Sequence, residues 1–231
     1  MVTVYFSPFP VSPKRNPGSL EVRRLLAAAL SHRFPHLGEL PAMEKDAWGK
    51  PFFPQYPELF FSLSHTRGGV CCALADAPVG VDVEGWRPRK YQEQILRRFS
   101  KEEQRLWAYT PQKERERLFF QLWVLKESYV KADGRGLRIP LDSFSVLPEE
   151  KDFRLGNRFP KSWSLAVSGE KGEKEYTFCL YDMEKFSKEL AVCSLDGEIP
   201  ENICILPYQE ESKTVIKKTQ SLQIESQEPP G

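Results

Sequence analysis

The chain has 231 residues, of which 40% are hydrophobic and 28% are charged, with 33 Lys and Arg against 32 Asp and Glu. This length is enough for one large domain or two small ones, and the composition is that of a folded globular protein. The net charge of +1 argues against a general polyanion binder, because non-specific nucleic-acid affinity needs clustered excess Lys and Arg. No nucleic-acid partner is therefore predicted, although a local basic pocket remains open.

No stretch approaches 18 consecutive apolar residues, so no membrane span is predicted. The opening residues 1–6 are followed by Pro8 and Pro10, which is not a signal-peptide pattern, and we expect a cytoplasmic protein. The cysteines are odd in number, include an adjacent pair and form no CxxC motif, so buried thiols are expected rather than a zinc site or disulfides. They are Cys71, Cys72, Cys179, Cys193 and Cys204.

The first part of the chain predicts a strand, a loop and a helix. Residues 2–6 alternate apolar and polar side chains, as in a strand, and a turn-rich basic loop covers 12–18. The apolar spacing over about 19–34 predicts a helix, on which Arg23 and Arg24 are typical surface charges.

A loop rich in proline and aromatic residues follows over 35–57, with Trp48-Gly49-Lys50-Pro51 at its centre. Glycine beside proline fixes an irregular backbone, which can offer backbone groups to a base while Lys50 contacts a phosphate. An ordinary proline-rich connection is the alternative.

Two strands are predicted next, at 59–64 and 69–75. His65 is expected just past the end of the first strand, in a turn of small residues. It could there donate a hydrogen bond to a phosphate oxygen, or it could be a simple turn histidine.

The alternating valines of residues 78–84 predict a third strand, which carries two acidic residues. Side chains at i and i+2 share one face of a strand, so Asp82 and Glu84 lie side by side. Adjacent carboxylates repel each other, and a hard divalent cation with oxygen ligands would relieve that repulsion. A solvated acidic face on an edge strand is the alternative.

Helices dominate the middle of the chain. After a helix at about 91–99, Ser100 and Glu103 form the pattern of a capping box, which gives Glu103 a complete structural role. A long helix over 112–133 follows, ended by glycines at 134 and 136.

Three residues of the long helix share one stripe. Trp123, Glu127 and Lys131 are spaced i, i+4 and i+8, which places an acid and a base on one face. A solvated surface pair of Glu127 and Lys131 is the alternative.

The remaining sequence predicts mostly strands. Alternating runs occur at 139–146, 162–167, 176–180, 190–194 and 203–206. From residue 209 onward the sequence is polar without a clear apolar period, which predicts a disordered tail.

Two of these stretches resemble the signature motifs of a known enzyme family. Gly80-Val81-Asp82-Val83-Glu84 is similar to GxDxE, and the stretch from Trp123 to Lys131 is similar to WxxKExxxK, both of the 4'-phosphopantetheinyl transferases. Further matches resemble the surfactin-synthetase-activating branch of that family, within a resemblance that covers about residues 45–206. They are Gly49-Lys50-Pro51, Ser64-His65, Gly136-Leu137 and Pro140-Leu141-Asp142-Ser143-Phe144-Ser145-Val146.

The resemblance implies an α/β (α+β) fold, a pseudo-dimer of two similar halves with the active site between them. The halves would cover residues 1–105 and 106–207, followed by the tail at 208–231. The implied reaction moves the phosphopantetheine arm of coenzyme A to a serine of a carrier protein, with Mg²⁺, and releases adenosine 3',5'-bisphosphate. Such a reaction needs a metal or cations for the developing charge and a base for the alcohol.

By position in the motifs, Asp82, Glu84 and Glu127 would hold Mg²⁺. The predicted catalytic residues are Glu127, Lys131 and Asp82, with Glu127 as the preferred base, either directly or through a metal-bound water, and Lys131 neutralising the phosphate. The resemblance also implies seven residues that would contact coenzyme A, one of which is the catalytic Lys131. The other six are Lys50, Pro51, Ser64, His65, Arg23 and Arg24.

The sequence departs from the branch at its N-terminus, where members usually carry a longer region with basic residues that grip the 3'-phosphate. Arg23 and Arg24 are the proposed replacements, and Lys14 and Arg15 are further candidates. Glu103 matches another acidic position near the site but ranks lower because of its capping role.

The positive charges of Arg87, Arg89 and Lys90 suggest that they contact acidic residues of the carrier protein. The presence of both active-site halves in one chain predicts a monomer. Two other functions stay open. One is a Mg²⁺-dependent hydrolase of nucleotide pyrophosphates, and the other is a non-catalytic module that binds coenzyme A or a carrier domain.

Overall fold

The structure is a computed structural model that describes residues 1–9, 18–86, 91–149, 163–167, 175–195 and 197–207. Three predictions fall outside these ranges: the basic residues Lys14 and Arg15, the cations of 87–90, and the tail at 208–231. Within the described ranges, no helix combines the length and apolarity needed to cross a bilayer.

The described residues up to 86 form one α-helix and six strands. They are β1 (Thr3–Pro8), α1 (Gly18–Arg33), β2 (Glu44–Lys45), β3 (Pro51–Phe52), β4 (Phe60–Thr66), β5 (Gly69–Ala75) and β6 (Val79–Gly85), with a 3₁₀ turn at Pro35–Leu37.

The remaining described residues form three helices and five strands. They are α2 (Gln92–Leu96), α3 (Lys101–Tyr109), α4 (Gln112–Asp133), β7 (Phe144–Pro148), β8 (Trp163–Val167), β9 (Tyr176–Met183), β10 (Lys188–Leu195) and β11 (Cys204–Ile205), with 3₁₀ turns at Gly136–Arg138 and Glu184–Phe186. The mixed α/β class is thus confirmed.

The strands are arranged in two main sheets and two small hairpins. The first sheet has the order β11-β1-β5-β4, the second has the order β6-β10-β9, and β2-β3 and β7-β8 pair separately. Only the β1–β11 pairing is parallel among these. Strand β6, from the first half of the chain, pairs with β10 from the second, and β11 returns to pair with β1.

Three hydrophobic clusters stack these elements in the order α1, first sheet, second sheet, α4. Leu26 of α1 packs with Leu74 of β5 on one face of the first sheet. Phe6 and Val83 share the cluster between the two sheets. Leu125 of α4 packs with Ala191 on the outer face of the second sheet. Each sheet is therefore covered on both faces, which explains why every residue of β5 is buried.

Several predicted boundaries change in the structure. Strand β4 continues to Thr66, so His65 lies within the strand, with Ser64, and not in the following turn. The strand predicted at 139–146 begins only at Phe144, because residues 141–143 form a turn. The five-residue α2 is shorter than the helix predicted at 91–99. Residue propensities therefore predict whether a segment is a helix or a strand better than they predict the residues at which it begins and ends.

The cysteines are free thiols, as predicted. Cys71, Cys72 and Cys193 are buried, whereas Cys179 and Cys204 are partly buried. Burial raises the pKa of Cys71 and Cys193 well above the ordinary range. These thiols are therefore protonated packing groups.

Candidate active site

The candidate site lies where the two main sheets meet, between β4 and β6. Strand β4 pairs with β5, and β6 pairs with β10, so each presents an edge to the other. In the described structure, side-chain hydroxyls link these edges: Ser62 Oγ accepts from the Val81 amide at 3.0 Å, and Thr66 Oγ1 accepts from the Gly85 amide at 3.3 Å. Polar groups of both strands are thus available beside the opening between β4 and β6, which we call the opening below.

The ammonium group of Lys131 enters this opening from α4. Lys131 Nζ donates to Asp82 Oδ1 at 2.7 Å, to the Val81 carbonyl at 3.1 Å and to the Leu63 carbonyl at 3.4 Å. Ser64 Oγ donates to the same Asp82 oxygen at 2.6 Å. One charged group therefore joins α4 to both strands.

The charge of Lys131 is maintained by its partner. Burial disfavours the cation, but Asp82 outweighs burial and raises the pKa of Lys131 above its ordinary value. Lys131 is therefore cationic at neutral pH. It also pairs with a carboxylate on another element, which makes the site more than a solvated Glu127–Lys131 surface pair.

Asp82 and Glu84 both contact hydroxyl groups of β4, which agrees with the shared face that the strand period predicted. Thr66 Oγ1 donates to Glu84 Oε2 at 3.3 Å, next to the Ser64–Asp82 contact. Asp82 is only 5% exposed, so a fully solvated acidic face is wrong for this residue. Its second oxygen, Oδ2, is buried without a hydrogen-bond partner in the protein. Such an oxygen is costly to leave unpaired, and it suits a cation.

Glu127 lies one turn before Lys131 and lines a cavity of about 290 Å³ with it. The described residues contain no group of three or more His, Cys, Asp or Glu side chains placed to hold a metal ion. The carboxylates of Asp82, Glu84 and Glu127 are thus near the same opening without being gathered into a ligand cluster. Their role as metal ligands stays a prediction.

Lys50 and Pro51 also line this cavity. Lys50 Nζ donates to the carbonyls of Lys131 at 2.6 Å, Ala132 at 3.3 Å and Val79 at 3.4 Å. Burial lowers the pKa of Lys50. The Lys50 ammonium therefore stabilises the C-terminal end of α4, where free carbonyls and the helix dipole favour a cation. Its predicted contact with a phosphate stays a prediction.

A second cavity, of about 400 Å³, is lined by Val22, Leu63, Ser64, His65 and Lys131. Because Leu63 and Lys131 line both cavities, the two cavities adjoin at these residues. His65 is exposed at this second cavity.

Arg23 and Arg24 lie on α1, next to Val22 of the second cavity. Arg23 is exposed, and Arg24 Nη1 donates to Glu21 Oε1 at 2.9 Å. The predicted 3'-phosphate role of these arginines remains untested by this geometry.

Other residues of the two motifs serve the fold. Gly80 lies against α4 so closely that a Cβ atom there would be 1.9 Å from the Ser128 carbonyl oxygen. Lys126 and Glu103 form a fully buried ion pair, with Lys126 Nζ 2.7 Å from Glu103 Oε2. The predicted capping box of Ser100 and Glu103 is confirmed. Glu103 is thus occupied by structural contacts.

Sequence reasoning did not predict the contacts of four residues around the site. Ser62 and Thr66 accept hydrogen bonds from amides of β6. Their spacing of two residues on either side of Ser64 could have indicated that all three hydroxyls share one face of the strand. Trp48 and Arg138 meet beside the first cavity, with the guanidinium 4.5 Å from the indole centroid. No sequence pattern indicated that pair, because its members are ninety residues apart.

Comparison with known proteins agrees with the site. Residues 78–180 match the family model of the 4'-phosphopantetheinyl transferase superfamily. The chain is 33% identical over 163 residues to 4'-phosphopantetheinyl transferase Sfp of Bacillus subtilis, covering 71% of this chain and 67% of that protein. It is 28% identical to the mouse L-aminoadipate-semialdehyde dehydrogenase-phosphopantetheinyl transferase, over 87% of this chain and 67% of that protein.

A holo-(acyl-carrier-protein) synthase from Bacillus anthracis, solved in complex with CoA (3',5'-ADP), is 16% identical. It covers 52% of this chain with a TM-score of 0.42 and is itself covered to 95%. The sequence relatives, and not this structure, carry the assignment: the chain belongs to the 4'-phosphopantetheinyl transferase family. It is accordingly a transferase, and the family resemblance of its motifs is confirmed.

Proposed function

We propose that the protein transfers the 4'-phosphopantetheine group of coenzyme A to a serine hydroxyl of an acyl or peptidyl carrier protein, leaving adenosine 3',5'-bisphosphate. The observation that carries this proposal is the Lys131–Asp82 pair in the opening between β4 and β6. Family membership supports the reaction class, and the site supplies charges of both signs beside two adjoining cavities.

The opening carries the kind of ligand atoms that a hard divalent cation would need. Their ligand atoms are carboxylate oxygens, which Mg²⁺ prefers, and Asp82 Oδ2 is a buried oxygen that lacks a partner. Asp82, Glu84 and Glu127 would hold the ion. When bound, Mg²⁺ would polarise the pyrophosphate and offset its negative charge.

The protein's own groups divide the remaining work. Lys131, cationic at neutral pH, would stabilise the phosphate that departs with the nucleotide. Glu127, at the cavity wall, would accept the proton of the serine hydroxyl as the hydroxyl oxygen attacks the phosphorus. Ser64 would help to hold the Asp82 carboxylate by donating to Oδ1, which leaves Oδ2 without a protein partner.

The two cavities would divide the coenzyme. His65 and Ser64 border the cavity toward α1, where the nucleotide phosphates would bind near Arg23 and Arg24. Lys50 and Pro51 border the other, which is lined largely by apolar side chains and glycines. Lys131 lies between them, where a pyrophosphate that joins two parts of one ligand would be expected.

Intact-protein mass spectrometry tests the proposal. An apo carrier protein is incubated with the protein, coenzyme A and Mg²⁺, with and without EDTA. We expect the carrier to gain one phosphopantetheine and EDTA to prevent the gain. Cleavage of coenzyme A with no gain on any of several carriers would indicate a hydrolase, and binding without cleavage would indicate a non-catalytic module.

A further inference from the structure

A buried polar cluster lies beyond the acidic end of β6, and neither the motifs nor the proposed chemistry accounts for it. Its centre is Glu189 of β10, which is only 1% exposed. Glu189 Oε1 accepts from Arg117 Nε at 2.7 Å and from Trp86 Nε1 at 3.1 Å. The Arg117 guanidinium also lies 5.0 Å from the centroid of the Trp86 ring. We name Trp86, Arg117 and Glu189 the Trp86 cluster.

The cluster is adjacent to the candidate metal ligands through the sheet register. Glu189 is the direct antiparallel partner of Glu84, and Ala191 is the partner of Asp82. Directly opposed residues of an antiparallel pair place their side chains on the same face, with Cβ atoms about 5 Å apart. Two carboxylates are thus neighbours across the strands. Arg117 supplies a positive charge to the Glu189 member of the pair.

The cluster also joins the two elements that carry the site. Trp86 follows the end of β6, and its amide donates to the Ser187 carbonyl at 2.9 Å. Arg117 belongs to α4, the helix that carries Glu127 and Lys131. At the other end of β6, Gly80 lies directly against the α4 backbone. The segment with Asp82 and Glu84 is therefore tied to α4 at both ends.

Resting on the proposed function, we propose that Glu189 is a positioning residue for the acidic end of β6. With Arg117 and Trp86 it fixes Glu84 relative to α4, and so it sets the affinity of the site for a divalent cation. A carboxylate ligand that is loosely placed binds a metal more weakly, and loss of a supporting group outside the ligand shell typically costs about 10- to 100-fold in metal affinity.

Variants of Glu189 test this role through metal binding as well as rate. Binding of Mn²⁺ is measured by isothermal titration calorimetry on the full chain with 3',5'-ADP present, and transfer is measured over a Mg²⁺ series. We expect Glu189→Ala to weaken Mn²⁺ about tenfold and to raise the half-maximal Mg²⁺ concentration similarly, with kcat at saturating Mg²⁺ within about threefold of wild type. Glu189→Gln, which keeps an acceptor for Trp86 and Arg117, should recover most of the affinity.

Arg115→Ala is the matched control. Arg115 lies on the same helix with its guanidinium 4.8 Å from the Trp107 centroid and donates to the carbonyls of Thr110 and Ala108, so its loss removes polar contacts of α4 away from β6. We expect unchanged Mn²⁺ affinity in this variant. The proposal is overturned if Glu189→Ala binds Mn²⁺ within twofold of wild type, or if it loses no more affinity than Arg115→Ala. Absence of transfer by the wild-type chain would instead overturn the proposed function, whereas the Mn²⁺ titrations would still test the positioning role.

Discussion

At the scale of single residues, the site is defined by the charged side chains that the fold brings into contact. Lys131 reaches Asp82 on β6, and Ser64 donates to the same oxygen, so one carboxylate oxygen is occupied and the other stays unpaired. Glu127, one turn away, lines the cavity at the same ammonium. The helix stripe predicted this neighbourhood, but the pairing partner of Lys131 came from another element.

Replacement of Glu127 by Gln tests the proposed base with little change in shape. We expect kcat to fall by at least about 100-fold, because the amide cannot accept the serine proton. The melting temperature should stay within about 2 °C, since the side chain is only partly buried. Stopped assays with a carrier protein and thermal unfolding are the measurements.

The control for this variant is Glu116→Gln, which alters an exposed carboxylate of the same helix. It should leave both rate and melting temperature unchanged. Near-normal transfer by Glu127→Gln would remove Glu127 from the mechanism and leave a metal-bound water or another residue as the base.

At the scale of elements, the position of α4 against β6 determines the site. Gly80 permits the close approach, because any side chain there would overlap the helix backbone near Ser128 and Ala132. Lys50 then holds the C-terminal end of the helix through the carbonyls of Lys131 and Ala132, and it also donates to the Val79 carbonyl of β6. Both contacts place Lys131 at the opening.

Substitution of Gly80 by Ala should destabilise the protein by more than about 3 kcal/mol, because backbone cannot yield as a flexible side chain can. Urea unfolding followed by circular dichroism gives the free energy of unfolding. Gly85→Ala in the same strand is the control: its added Cβ would meet no atom closer than 3.8 Å, so a small change is expected. Equal effects of the two substitutions would contradict the close-packing argument.

Substitution of Lys50 by Met separates a structural role from a ligand role. Loss of the ammonium should lower the free energy of unfolding by about 1–2 kcal/mol, because buried carbonyls at the end of α4 lose their donor. If Lys50 also contacts a phosphate, the KM for coenzyme A will rise in addition. A stable variant with unchanged KM would show that neither role is significant.

At the scale of the whole molecule, the sheets combine segments from distant parts of the chain. Strand β11 pairs with β1 in the first sheet, with Tyr5 opposite Cys204 and Phe6 opposite Ile205. Strand β10 likewise completes the sheet that contains β6. The division at residue 105 into two halves stays a prediction, as does the monomeric state.

Two truncations test where the folded unit ends. Removal of residues 212–231 should leave activity and melting temperature nearly unchanged, because that polar segment lacks an apolar period. Removal of residues 203–231 also deletes β11 and should lower the melting temperature by several degrees, because β1 loses its parallel partner. A large loss from the shorter truncation would contradict the prediction for the tail.

The sequence by itself determined the motif residues, the long helix with Glu127 and Lys131 on one stripe, and the shared face of Asp82 and Glu84. These follow from periodicity within one element, which local geometry dictates. The family followed from the two motifs together. The sequence determined the ends of the elements less well. Strand β7, for example, begins later than predicted, because a turn at 141–143 competes with the weak strand preference of those residues.

Only the tertiary structure decided which groups meet. The opening between β4 and β6, the Lys131–Asp82 pair, the use of Lys50 at the end of α4 and the Trp86 cluster all join residues far apart in the chain. Their formation depends on how sheets and helices pack, since periodicity fixes the face of one element but not what lies opposite that face. Packing therefore turned a set of motif side chains into a site with a defined charge arrangement.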